Sequence, residues 1–115
     1  MENINKNFAE RRLYTRRKLR TEVTFKEEFG EDVIKLYSED VSVGGIFLSS
    51  YLPIKVGSYV FISFRLPDHP ASIEATGEVV RTVEERDGET KGGFAIRFVA
   101  LKEVTAEAIR RFVSG

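Results

Sequence analysis

The run ERRLYTRRKLR, residues 10–20, places six cations in eleven positions. Arg12 and Arg16 stand four apart with Arg11 beside them, and Arg17, Lys18 and Arg20 follow. A guanidinium is planar and permanently charged, so it can grip a phosphate, or the O6 and N7 acceptors of guanine, through paired hydrogen bonds. A second stretch, EDVSVGGIF at 39–47, offers complementary groups. Asp40 can accept hydrogen bonds from guanine's nitrogen edge, Ser42 can donate or accept one, and glycine leaves backbone open to close approach. Arginines for an anion and an Asp/Ser/Gly turn for a base read as a guanine-nucleotide site.

Other chemistries find little support. The single histidine, His69, lies between Asp68 and Pro70 in a turn and reads as a solvated loop residue. There is no HExxH, no GxSxG, no GxxxxGK[ST] and no GxGxxG after a strand, so we expect no catalytic residues, no metal site and no cofactor. The chain reads as a binding protein, not an enzyme. With no cysteine it has no disulfide framework and no thiolate nucleophile, which suits the cytoplasm. No apolar run is long enough to span a bilayer, and the polar opening MENINKNFAE lacks the apolar centre of a signal peptide.

The formal net charge is zero, yet it is unevenly spread. Residues 1–20 carry seven cations against Glu2 and Glu10, a local charge of +5, which leaves −5 on the other 95 residues. An anionic partner should meet the basic segment first.

Positioning those groups falls to β-structure. From Thr21 onward, short β-favouring runs alternate with turn signals at the spacing of a sandwich or barrel. In SYVFISFRL, Val60, Ile62, Phe64 and Leu66 fall on one face while Phe61, Ser63 and Arg65 fall on the other. Further runs lie at 21–27, 32–39, 45–50, 72–85 and 92–98, making six strands. Turn chemistry separates them: EFGED around Gly30, LPDHP around Pro67 and Pro70, and RDGET with the Asp87-Gly88 pair of a tight hairpin. In LKEVTAEAIRRFVSG the residues Leu101, Val104, Ala108, Ile109, Phe112 and Val113 recur at helical spacing, which predicts one amphipathic helix. At 115 residues with nine Phe and four Tyr the chain can close one core. The reading is a flexible basic arm at 1–20, a six-stranded antiparallel barrel at 21–100 and a helix at 101–115.

At the two polar motifs the sequence resembles a known family. RLYTR (Arg12 to Arg16) matches the R-x-x-x-R, and DVSVGG (Asp40 to Gly45) the D-x-S-x-x-G, of PilZ domains, bacterial receptors for the second messenger cyclic di-GMP. GEVVR (77–81), GGFAIRF (92–98) and the final helix stand where that family has its late barrel strands and C-terminal helix. The resemblance implies a split barrel in which Arg12 and Arg16 bind phosphate and guanine while Asp40, Ser42 and Gly45 hold the base. Gly44, Arg17 and Arg20 would be further contacts, and Arg81 stands where some members stack a side chain on guanine. Arg11, immediately before the motif, goes in that family with a stacked pair of ligands per chain. An overlapping R-x-x-x-R, Arg16 to Arg20, competes for the assignment; the distance to Val23 favours Arg12 and Arg16.

The arm would then be a clamp, loose when empty and folded over the ligand when bound, and the domain would signal to a downstream protein that the sequence does not name. Two rivals remain: an adaptor of the same fold that binds protein without nucleotide, and a small barrel for single-stranded nucleic acid. The second calls for aromatics and cations interleaved across a barrel face. Here the cations gather ahead of the barrel.

Overall fold

A computed structural model describes residues 14–85 and 92–115. Apolar alternation builds its strands, and β5 (Tyr59–Phe64) shows how: Val60, Ile62 and Phe64 are buried while Tyr59 and Phe61 face out. The other long strands are β2 (Glu22–Glu27), β3 (Ile34–Val41), β4 (Gly45–Ser49), β6 (Ile73–Val83) and β7 (Gly93–Ala100). Every pairing is antiparallel, in the order β3-β2-β5-β6-β7-β4, and β4 pairs back onto β3 to close a six-stranded barrel. The Asp87-Gly88 hairpin expected between β6 and β7 lies outside the described residues.

A short seventh strand, β1 (Arg17–Lys18), lies outside the barrel against β3, where sequence alternation gave no sign of one. Leu19, just after it, is buried in the core. Residues 17–19, counted with the arm in sequence, are therefore paired with or packed into the barrel. The buried Ser38 hydroxyl donates to the Leu19 carbonyl and accepts from the Thr21 amide at 3.1 Å. That pair of bonds spans the entry into β2.

Inside, Phe25 and Phe94 meet at 5.5 Å between ring centroids, tilted by 60°, an edge-favoured geometry. The C-terminal helix α1 (Glu103–Ser114) adds Ile109, fully buried, to the same apolar cluster, with Phe112 and Val113 packed against it. Glu103 in its first turn and Arg111 in its last suit the helix dipole. Two expected stripe positions fall differently. Val104 is 73% exposed, because the helix starts at Glu103 and its first turn points that side chain away from the barrel, and Leu101 precedes the helix. No helix among the described residues is long and apolar enough to cross a membrane.

Candidate functional site

The turn between β3 and β4 is held by its own serine. Ser42 is 1% exposed, and its Oγ accepts from the amides of Gly44 at 3.1 Å and Gly45 at 3.2 Å. The Ser42 amide donates to the Gly45 carbonyl at 2.8 Å. A buried serine in this position fixes the turn and keeps one hydroxyl proton for donation. Asp40, expected in the connection between two strands, belongs to β3, which runs on to Val41 past a bulge between Ser38 and Asp40. The bulge re-aims the strand's end, a common device beside binding sites.

Arg16 comes to this turn from the other motif. Its Nη1 lies 2.7 Å from Asp40 Oδ1, and the two side chains remain 50% and 33% exposed. Two residues before Arg16, the Tyr14 ring covers Gly44 so closely that a Cβ there would be 2.5 Å from Tyr14 Cδ2. Gly45 is needed for another reason. An added Cβ would meet the Ile96 carbonyl oxygen at 2.2 Å, where β4 runs against β7.

Strand register carries the site across the barrel wall. Lys18 pairs with Asp40, Asp40 with Phe47, Phe47 with Ala95 and Ala95 with Arg81, one continuous row over β1, β3, β4, β7 and β6. Paired residues project to the same face, so Asp40 and Arg81 share the outer surface about 14 Å apart, three strand spacings. The Arg81 guanidinium sits 5.7 Å from the centroid of the Phe47 ring between them, within reach of a cation–π contact.

The remaining arginines divide. Arg20 pairs with Glu39 at 3.0 Å and lies 4.9 Å from the Tyr37 ring centroid. Arg17 turns away to the end of α1, donating to the Phe112 carbonyl at 2.7 Å. Arg11 and Arg12 lie outside the described residues. Thus Arg16, Asp40, Ser42, Gly44 and Gly45 come together, Arg81 shares their face, and Arg17 and Arg20 have other partners. Sequence reasoning passed over Tyr14 and Phe47 and counted Lys18 only among the cations of the basic segment. The aromatic inside R-x-x-x-R was a legible signal for the first; the other two emerge only from register. His69, half-buried, meets the Ala71 carbonyl through Nδ1 at 2.9 Å.

A closed antiparallel barrel that takes Ile109 of a C-terminal helix into its core and brings Arg16 to a polar turn defines a small β-barrel domain with a polar outer site. The family model for the PilZ domain matches residues 10–115, and the chain belongs to that family. None of the curated proteins matches it. Among solved structures it is similar to the inhibitor of motility MotI (DgrA) of Bacillus subtilis, with a TM-score of 0.79 at 23% identity. That match covers 90% of this chain and 49% of MotI, so the chain spans about half the length of that relative. The PilZ domain of YcgR from Escherichia coli, solved with c-di-GMP, matches with a TM-score of 0.67 at 16% identity over 90% of this chain and 89% of that one. The PilZ domain of CeSA from a cellulose-synthesizing bacterium matches at 0.60 and 18%, covering 87% and 95%. At these identities the likeness is one of fold.

Proposed function

We propose that this domain is a cytoplasmic bacterial receptor for cyclic di-GMP, acting by binding and not by catalysis. The observation that carries the reading is the 2.7 Å contact of Arg16 with Asp40. It brings the last residue of the arginine motif onto the first of the Asp/Ser/Gly motif, as one ligand held by both would require. Family membership supports it, as does the YcgR PilZ domain of the same fold, solved with c-di-GMP. On binding, the Asp40 carboxylate exchanges Arg16 for the guanine N–H edge, and Arg16 and Arg12 turn to phosphate and guanine acceptors. Arg81, resting by the Phe47 ring, offers a flat cation for a base to stack on. The rearranged arm then presents a changed surface to a downstream protein.

Titration with cyclic di-GMP, GMP and a short oligonucleotide tests this. Only cyclic di-GMP should bind, with affinity falling as ionic strength rises, because exposed charges are screened beyond about 8 Å at physiological salt. Oligonucleotide binding alone would identify a nucleic-acid barrel; no binding at all would leave an adaptor.

Stoichiometry follows from Arg11. Two stacked dinucleotides bring four phosphate charges together, which needs several guanidiniums to share them. Calorimetry should give two ligands per chain, and Arg11→Leu should lower this to one while keeping binding. A ratio of one for the unmodified protein refutes the stacked pair.

A further inference from the structure

Arg17 sits one residue from Arg16, yet the two side chains have different partners, Phe112 of the C-terminal helix for one and Asp40 of β3 for the other. Strand β1 pairs Lys18 with Asp40 and Arg17 with Val41. Successive side chains of a strand alternate in direction, so Arg16 and Lys18 share the face of Asp40 while Arg17 shares the face of the fully buried Val41. There its Nη1 donates to the Phe112 carbonyl at 2.7 Å, and its guanidinium lies 4.4 Å from the Phe112 ring centroid. Phe112 belongs to the last turn of α1, whose carbonyls have no partner further along the helix. The Gly115 amide reaches the same oxygen at 3.3 Å, so Arg17 adds a charged second donor where the helix dipole favours a cation.

We propose that Arg17 is a positioning residue that ties the arm to the end of the C-terminal helix, making the ligand site and the helix end one coupled unit. The proposal rests on the cyclic di-GMP reading of the site. Two fixed points make it work. Leu19 is buried, with its amide donating to the Glu39 carbonyl at 3.0 Å, and Arg17 is pinned to Phe112. Arg16 therefore leaves the barrel from a backbone held on both sides of Lys18, which directs it to Asp40. Without the Arg17 side chain the segment ahead of Leu19 keeps only the two-residue backbone pairing of β1 with β3, and the loosened end of the arm must be ordered when ligand binds. Coupling is reciprocal: whatever helix docking does for the ligand, the ligand does for helix docking.

The test uses the full chain and cyclic di-GMP. Arg17→Ala should lower affinity about five- to tenfold, the cost of ordering about one further residue on binding, with the slope of log affinity against log salt unchanged. Arg17→Lys, which can donate to the carbonyl but cannot lie flat on the ring, should recover part of the loss. Amide exchange at residues 112–115 should slow when the unmodified protein takes up ligand and stay unchanged in Arg17→Ala. Equal affinity in Arg17→Ala overturns the proposal, and so does a shallower salt slope, the mark of a lost phosphate contact. Should the unmodified chain bind no cyclic di-GMP, the receptor reading fails. Ligand-free exchange then decides the tie by itself: faster exchange at 14–18 and 112–115 in Arg17→Ala supports it, and unchanged exchange refutes it.

Discussion

Arg16→Ala and Asp40→Ala each remove measurable cyclic di-GMP binding while the barrel stays folded. Both halves of that expectation come from the same contact. The Arg16–Asp40 pair is half exposed, and such surface pairs contribute about 0–1 kcal/mol, so losing one should shift the melting temperature by less than about 8 °C. Binding responds more strongly. Each residue would make charge-assisted hydrogen bonds to the ligand worth about 1.5–3 kcal/mol, and losing two at once lowers affinity about 100-fold or more. Asp40→Asn separates charge from shape, since an amide keeps one acceptor but presents a donor to guanine's N–H edge. It should bind nearly as poorly as the alanine variant. Calorimetry together with thermal unfolding reads both quantities, and unchanged affinity in Arg16→Ala and Asp40→Ala would sink the site.

What could be read from the sequence, and what could not, follows from where the information lies. The six barrel strands were legible because each carries an apolar face with period two; Val60, Ile62 and Phe64 alternate with Tyr59, Phe61 and Ser63 whatever surrounds them. Strand β1 was not, because Arg17–Lys18 is held by backbone pairing to β3 and has no apolar alternation of its own. Leu19, a lone apolar residue amid cations, was the one local hint of an anchor. Both motifs of the site were visible by type and spacing. Their meeting was not: Arg16 reaches Asp40 only because β1 pairs with β3 in one register, and register is set by long-range pairing. Likewise, nothing local says that Arg17 faces the helix when Arg16 faces the turn. Val104 failed for a simpler reason, since helical spacing identifies a stripe but not which of its turns reaches the core.

The two glycines that end the Asp/Ser/Gly motif should fail in different ways when replaced by alanine. At Gly45 the three atoms nearest an added Cβ are all backbone of β7: the Ile96 oxygen at 2.2 Å, the Ile96 carbonyl carbon at 3.2 Å and Arg97 Cα at 3.3 Å. No side chain can rotate to make room, so β4 must separate from β7 where Ile46 and Leu48 enter the core opposite Ile96 and Phe94. Overpacking of this kind costs about 3 kcal/mol, which in a domain of this size lowers the melting temperature by about 10–20 °C. At Gly44 the nearest atoms belong to the Tyr14 ring, at 2.5 and 2.7 Å, and a half-exposed ring on the arm can swing aside. Gly44→Ala should therefore melt within a few degrees of the unmodified protein, yet bind cyclic di-GMP more weakly, because moving Tyr14 moves the segment that carries Arg16 to Asp40. A Gly57→Ala control isolates backbone strain, since Gly57 has φ +97° with nothing within 4 Å of its added Cβ. Its cost should stay near 1 kcal/mol. Thermal unfolding of the three variants checks the order, and a Gly45→Ala protein as stable as Gly44→Ala would mean that β4 does not lie against β7 as closely as these contacts require.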